Sequence, residues 1–121
     1  MKIVALLPVK NEDWILPTTL KPLCEISDHI IAADQFSTDN TKTILSNEEK
    51  VTIIQNEEVV HSNKVRWRLL DESRKLFGEN NIIINLDADE IIPPKLFYKK
   101  LKQIQQYPAG TLFSAQWTQL W

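Results

Sequence analysis

Four apolar stretches of strand length, Ile3 to Val9, His29 to Ala33, Val51 to Gln55 and Ile82 to Leu86, recur at intervals that leave room for a helix between each pair. No other feature restricts the fold as much. A βαβα rhythm of this kind predicts parallel strands joined by helical crossovers. The stretches are rich in Ile and Val and nearly continuous rather than alternating, as strands buried on both faces of a sheet should be. The expected architecture is α/β: a three-layer α/β/α sandwich around a mostly parallel sheet. With 121 residues, 43% of them hydrophobic, the chain is sized for a single domain with one core.

The segments between the strands carry helix signals. Asp13 to Ile26 reads as a helix in which Pro17 fits only a first turn, while Pro22 should end or kink it. After the second strand, Ser37, Thr38 and Asp39 are N-cap candidates. Asp39 capping a short helix through Ser46 is the simplest choice. Ser62 to Phe77 is the clearest helix: Val65, Leu69 and Leu76 recur along one line, Trp67, Leu70 and Phe77 form a second stripe, and Gly78 follows as a C-cap. Pro93 and Pro94 stand where another helix would begin, continued by Leu96 to Gln106. Thr111 to Trp117 reads as a further strand.

Composition then removes whole classes of function. A net charge of -2 gives no general reason for a nucleic-acid or membrane partner. Ile3 to Leu7 is far shorter than the roughly 18 residues of a membrane span and lacks a cleavage pattern. A cytoplasmic protein is the expectation, any peripheral membrane attachment depending on sequence outside this chain. With two glycines in all, neither a Walker loop nor a glycine-rich dinucleotide loop can be built. Cys24, the single cysteine, has no intramolecular disulfide partner and reads as a buried thiol in an apolar stretch. His29 and His61 lack metal-ligand spacing, Ser73 and Ser114 lack a nucleophile-elbow context, and no Ser, His and Asp set can be assembled. Trp14, Trp67, Trp117 and Trp121 are expected to pack in or over the core, an acceptor-sugar platform near Trp117 or Trp121 being the weaker reading.

What remains is acidic and sits at strand exits. Asp87-Ala88-Asp89 leaves the fourth apolar stretch with Glu90 next. Carboxylates this close repel unless a cation relieves them, and hard oxygen ligands suit Mg²⁺ or Mn²⁺ bridging to nucleotide phosphates. In open α/β sheets ligands bind beyond the carboxyl ends of the strands, where Asp87 and Asp89 fall. The bland alternative is an acidic turn capping the next helix, although a cap needs only one acid. Asp34 ends the second strand and could accept hydrogen bonds from a base or ribose, or be a solvated turn residue. Pro8-Val9-Lys10-Asn11-Glu12 leaves the first strand, where the backbone from Pro8 onward and Asn11 or Glu12 could meet a nucleoside; Asn-Glu before a helix is equally an ordinary helix start. On the long helix, Lys64 and Arg68 share a face with Arg66 close by, near enough to the helix start to approach a base or diphosphate. Arg74 and Lys75 complement the helix C-terminus.

Three of these segments in succession, Val4-Ala5-Leu6-Leu7-Pro8-Val9-Lys10-Asn11-Glu12, Ile30-Ile31-Ala32-Ala33-Asp34-Gln35-Phe36-Ser37-Thr38-Asp39-Asn40-Thr41 and Leu86-Asp87-Ala88-Asp89-Glu90, resemble the signatures of family 2 glycosyltransferases in order and spacing. The resemblance covers about residues 3 to 97. It implies the GT-A fold, a Rossmann-like arrangement for nucleotide-diphospho-sugars, and a nucleotide-sugar donor. It also implies a divalent metal, Mn²⁺ or Mg²⁺, at a DxD motif to which Asp87 and Asp89 correspond. Asp34 and the Asn11-Glu12 segment would contact the nucleoside, and Lys64 or Arg66 would lie near the base or diphosphate. The acceptor, whether glycan, lipid or protein, is left open. Gln35 and Phe36 stand where many members carry a second acid and a glycine. The family's general base is an acid downstream of the DxD motif, expected beyond Trp121, so this piece should bind donor without efficient transfer by itself. The implied reaction is a single displacement with inversion.

Three rival readings stay in view. A nucleotidyltransferase also places acidic metal ligands on a nucleotide-binding sheet, but Pro8 to Asp13 has no glycine for its first loop. A haloacid-dehalogenase-type phosphatase uses Asp-x-Asp after its first core strand, whereas this triplet comes late and is followed by Glu90-Ile91. A non-catalytic nucleotide-sugar-binding or scaffold domain would keep the fold without turnover.

Overall fold

The computed structural model describes residues 1–58, 60, 62–116 and 118. Strands β1 (Ile3–Val9), β2 (His29–Asp34), β3 (Val51–Gln55) and β4 (Ile82–Asn85) alternate with helices α1 (Leu16–Ile26), α2 (Thr41–Ser46), α3 (Lys64–Phe77) and α4 (Pro94–Ile104). All strand pairs are parallel, in the order β3-β2-β1-β4. The central pair runs in register from Val4 opposite His29 to Val9 opposite Asp34, so the exits of β1 and β2 lie side by side.

Strand parity divides the core into two layers. Ala5, Leu7, Val9, Ile30, Ala32 and Ile84 face Leu16, Leu20, Leu23, Leu45 and Phe97 from α1, α2 and α4. Val4, Leu6, Ile31 and Ala33 face Val65 and Leu69 of α3 on the opposite side. The expected three-layer α/β/α sandwich is therefore the observed one. Burial on both faces holds for the central strands only: β3 and β4 are edges, and Ile83 is exposed.

The helices differ from expectation in instructive ways. α1 starts at Leu16 rather than Asp13, after a turn in which the Ile15 and Leu16 amides donate to the Glu12 carbonyl. Pro17 occupies the first turn as predicted, but Pro22 does not end the helix, which runs four residues further to Ile26. Leu23 and Ile26 are buried, and their packing outweighs the roughly 3 kcal/mol cost of an interior proline. Ahead of α2 the capping is done by Asp39, whose Oδ1 accepts from the Thr41 amide at 2.9 Å, although Asn40 holds the N-cap position.

α3 buries Val65, Leu69 and Ser73 along one line and stops at Gly78, whose φ of 77° closes the helix through a 2.8 Å bond from its amide to the Arg74 carbonyl. Trp67 does not join the apolar stripe and is 66% exposed. Two residues beyond Val65 is about 200° around a helix, the far side from the sheet. Leu76 is exposed too, and Phe77 holds the helix end, packed on the second layer with its ring 5.0 Å from that of His29. Trp14 is likewise exposed rather than packed; Trp117, Trp121 and His61 lie outside the described residues.

Over 111–116 the expected strand is absent and the backbone is irregular and exposed. Thr111 instead folds back on Pro108 through its amide and hydroxyl, and Phe113 meets Tyr107 edge to face at 5.0 Å. Among the described residues no helix is long and apolar enough to cross a membrane.

Candidate active site at the strand exits

The chain builds β1, β2 and β3 in one direction and then places β4 on the other side of β1. A crevice opens at such a reversal, outside the carboxyl ends of the strands. Here it is a recess of about 400 Å³ whose lining includes Pro8, Glu12, Arg66, Asp87, Ala88 and Asp89, all six singled out in the sequence.

The acidic triplet owes its shape to its middle residue. Ala88 is buried in the first core layer, and its carbonyl accepts the Thr19 hydroxyl of α1 at 2.7 Å. With Ala88 turned inward, its neighbours are left to the recess side. The Asp87 amide donates to Glu90 Oε2 at 2.8 Å and the Glu90 amide to the Asp87 carbonyl at 3.1 Å, closing the turn. Arg66 comes in from the first turn of α3: its guanidinium pairs with Asp87 Oδ1 and donates to Asn85 Oδ1 and, at 3.3 Å, to the Leu86 carbonyl.

Glu12 stands across from the triplet. Burial, followed by the negative charge of Asp89 and smaller contributions from Asp39 and Asp87, pushes its carboxyl above the ordinary glutamate value. A raised folded-state pKa means a contribution fully present below the unfolded value of 4.5 and lost as pH rises through the folded one. Glu12→Gln is therefore expected to unfold at a higher temperature than the parent at pH 7, with the gap closing below pH 4.5. Thermal unfolding across that range checks it, and a gap that widens toward acid contradicts it.

Three predicted residues lie elsewhere. Asp34 continues the parity of Ile30 and Ala32 into the layer under α1 and α2, and is fully buried. Its Oδ2 accepts the Ser37 amide at 3.2 Å, while Oδ1 has no partner among the described residues. Asn11 ties two strand exits together: its Oδ1 accepts the Thr38 amide at 2.7 Å and its own amide donates to Ser37 Oγ at 2.9 Å. Lys64 is not among the residues lining the recess and instead lines a groove along α3 with Trp67 and Arg68. Conversely, Gln35 and Asn56 enter the recess without having been singled out as ligands. Asn56 is the first residue past β3, and the strand-exit rule applied to all four strands would have found it.

Asn11 adopts φ 50°, a left-handed conformation that asparagine tolerates. Asn11→Ala should destabilise by about 2 kcal/mol, combining the left-handed penalty with loss of the Thr38 bond. Asn11→Gly, which relieves the backbone part, should cost about half as much. Urea unfolding of both variants tests this, and equal losses would contradict it.

The other sequence candidates are accounted for structurally. Cys24 is half-buried; burial and then Glu48 push its thiol up to about 11, which keeps it protonated. His29 Nε2 lies 2.8 Å from Thr52 Oγ1, at the opposite end of the sheet. Among the described residues no cluster of three or more His, Cys, Asp or Glu forms a metal cage. The recess could still take a hard cation that keeps waters and phosphate oxygens as ligands, since that requires only one or two carboxylates and Asp87 and Asp89 line it.

The four-strand parallel sheet with helices on both faces is an α/β fold that matches GT-A glycosyltransferase structures. Comparison with protein families makes it specific: the model of glycosyl transferase family 2 matches residues 5–118, and the chain belongs to that family. Among solved structures it is similar to S. aureus TarS 1-349, with a TM-score of 0.71 and 21% identity over 88% of this chain and 33% of that one. The same protein in complex with UDP-GlcNAc gives 0.72 and 20% over 88% and 32%. Glucosyl-3-phosphoglycerate synthase from Mycobacterium tuberculosis, in complex with Mn²⁺, UDP and glucosyl-3-phosphoglycerate, gives 0.59 and 21% over 86% and 39%. The chain thus spans about a third of the length of these solved chains. No curated protein matches it. Family membership sets aside the nucleotidyltransferase and phosphatase readings.

Proposed function

We propose that the recess binds the donor of a glycosyl transfer, a sugar carried on a nucleoside diphosphate, and that the enzyme passes the sugar with inversion to a glycan, lipid or protein acceptor. The observation that carries this reading is the acidic turn at the switch point, with Arg66 reaching it from the neighbouring helix. Pro8, Glu12, Gln35 and Asn56, at the exits of β1, β2 and β3, form the nucleoside side. Asp34 and Asn11 support that side from behind by fixing the turns that carry it.

Asp89, with Asp87 beside it, would hold a divalent cation, Mn²⁺ or Mg²⁺. Such a cation, when bound, neutralises charge developing on the departing diphosphate. Arg66 adds a permanent positive charge to the same end of the recess, and its fork geometry matches phosphate oxygens as well as carboxylate. Two of the similar structures support the donor class by the ligands they hold, UDP-GlcNAc in one and UDP with Mn²⁺ in the other.

Titration calorimetry of the chain with UDP, with and without Mn²⁺, is the test. Binding that is at least tenfold tighter with Mn²⁺ is expected. The same affinity in both conditions, or no binding in either, would sink the reading.

A further inference from the structure

We propose that Arg66 is a shared counter-ion that passes from Asp87 to the donor's diphosphate, so that cation and nucleotide occupy the recess cooperatively; this rests on the donor-site reading above. The two acids of the turn are in unequal states. Asp87 is paired with Arg66, whose guanidinium also holds Asn85 Oδ1 and the Leu86 carbonyl, gripping three consecutive residues at the exit of β4. Asp89 has no ion pair among the described residues.

A divalent cation arriving alone meets one open carboxylate and one already neutralised. To use Asp87 it must compete with Arg66 and accept the repulsion of a positive group at close range. A diphosphate changes that balance. It brings several negative oxygens, and a guanidinium with five N–H donors can turn one arm to a phosphate oxygen while keeping Asn85 and Leu86. Asp87 is then free for the cation just as the phosphate that shares the cation arrives. Linkage makes the effect reciprocal: whatever factor the nucleotide adds to cation affinity, the cation adds to nucleotide affinity.

A role for Arg66 confined to holding the fold makes a different prediction, because it would leave cation affinity untouched. The test is Mn²⁺ binding to the whole chain, followed through the electron paramagnetic resonance signal of the free ion, with and without UDP, for the parent, Arg66→Met and Arg66→Lys. A thermal melt of each confirms folding. For Mn²⁺ alone, Arg66→Met should bind about tenfold more tightly than the parent, equivalent to about 1.4 kcal/mol, while its UDP affinity falls. Arg66→Lys keeps the charge but cannot grip residues 85 to 87 together, so it should gain a smaller part of that increase. Unchanged Mn²⁺ affinity in Arg66→Met, with UDP binding the parent normally, overturns the transfer and leaves the donor reading standing. Arg66→Lys indistinguishable from the parent overturns it as well, since a field effect without the grip would then suffice. Failure of UDP to bind the parent at all overturns the donor reading, and the transfer with it.

Discussion

Asp89→Ala is expected to weaken Mn²⁺-dependent binding of UDP by about a hundredfold, a loss of about 2.7 kcal/mol, and to bring the affinities with and without Mn²⁺ to the same value. The size follows from how the two acids are placed. Asp87 is partly neutralised by Arg66 before any ligand arrives, whereas the charge of Asp89 acts on Glu12 across the recess. Asp89 is therefore where a cation recovers the most electrostatic free energy. Removing it leaves the fold untouched in the places that matter, because the turn is tied by Ala88, Glu90 and Thr19 rather than by the Asp89 side chain. Calorimetry decides the matter, and a variant that keeps a metal-dependent difference of tenfold or more contradicts it. Asp87→Ala should lose less, since it also releases Arg66 toward the phosphates.

The second large effect is on the fold. Leu69→Ala should destabilise the domain by about 2–5 kcal/mol, the range for emptying a buried leucine site. Leu69 is completely buried between α3 and the centre of the sheet. Among the described residues all the helix side chains in that layer, Val65, Leu69, Leu70 and Phe77, come from α3, so no second described helix is placed to fill the space. The same helix carries Arg66, and loosening its seat should also weaken UDP binding severalfold. Urea unfolding reads the stability, and a change under 1 kcal/mol would mean that α3 contributes little to holding the sheet. Neither result could stand in for the other, because Asp89→Ala acts on the ligand and Leu69→Ala on the scaffold.

Strand positions were the most legible part of the sequence, since β1 and β3 run over the same residues as their apolar stretches and β2 and β4 differ by a single residue at one end. Uninterrupted Ile and Val are a local signal, and the central strands meet that condition without competition. Strand order was not legible. Nothing in Ile82 to Asn85 says that it pairs with β1 rather than β3; the order depends on which helices cover which face, a long-range matter. The site divides the same way. Asp87 and Asp89 announce themselves because paired acids at a strand exit are costly unless used. Asp34 looked equivalent, but its side-chain direction is set by the parity of β2, which points it under α1 and α2. The Thr111 to Trp117 segment has strand composition and, over 111–116, no neighbouring strand to pair with. Trp67 has helical spacing to Leu70 and Phe77, but that second stripe turns away from the sheet at its start, and Trp67 is exposed.

The hydrogen bond from Thr19 to the Ala88 carbonyl reaches further than its length suggests. It anchors the turn between the two aspartates to the helix that opens the domain, while the alanine methyl fills a place in the core. This tie resists movement of the backbone between the two carboxylates. For the divalent cation proposed above, discrimination between Mn²⁺ and larger cations such as Ca²⁺ would fall to carboxylate rotamers, water and phosphate rather than to movement of the turn. Lengthening the methyl would disturb core packing and the placing of the two carboxylates together, so a single small side chain couples the interior of the protein to its rim.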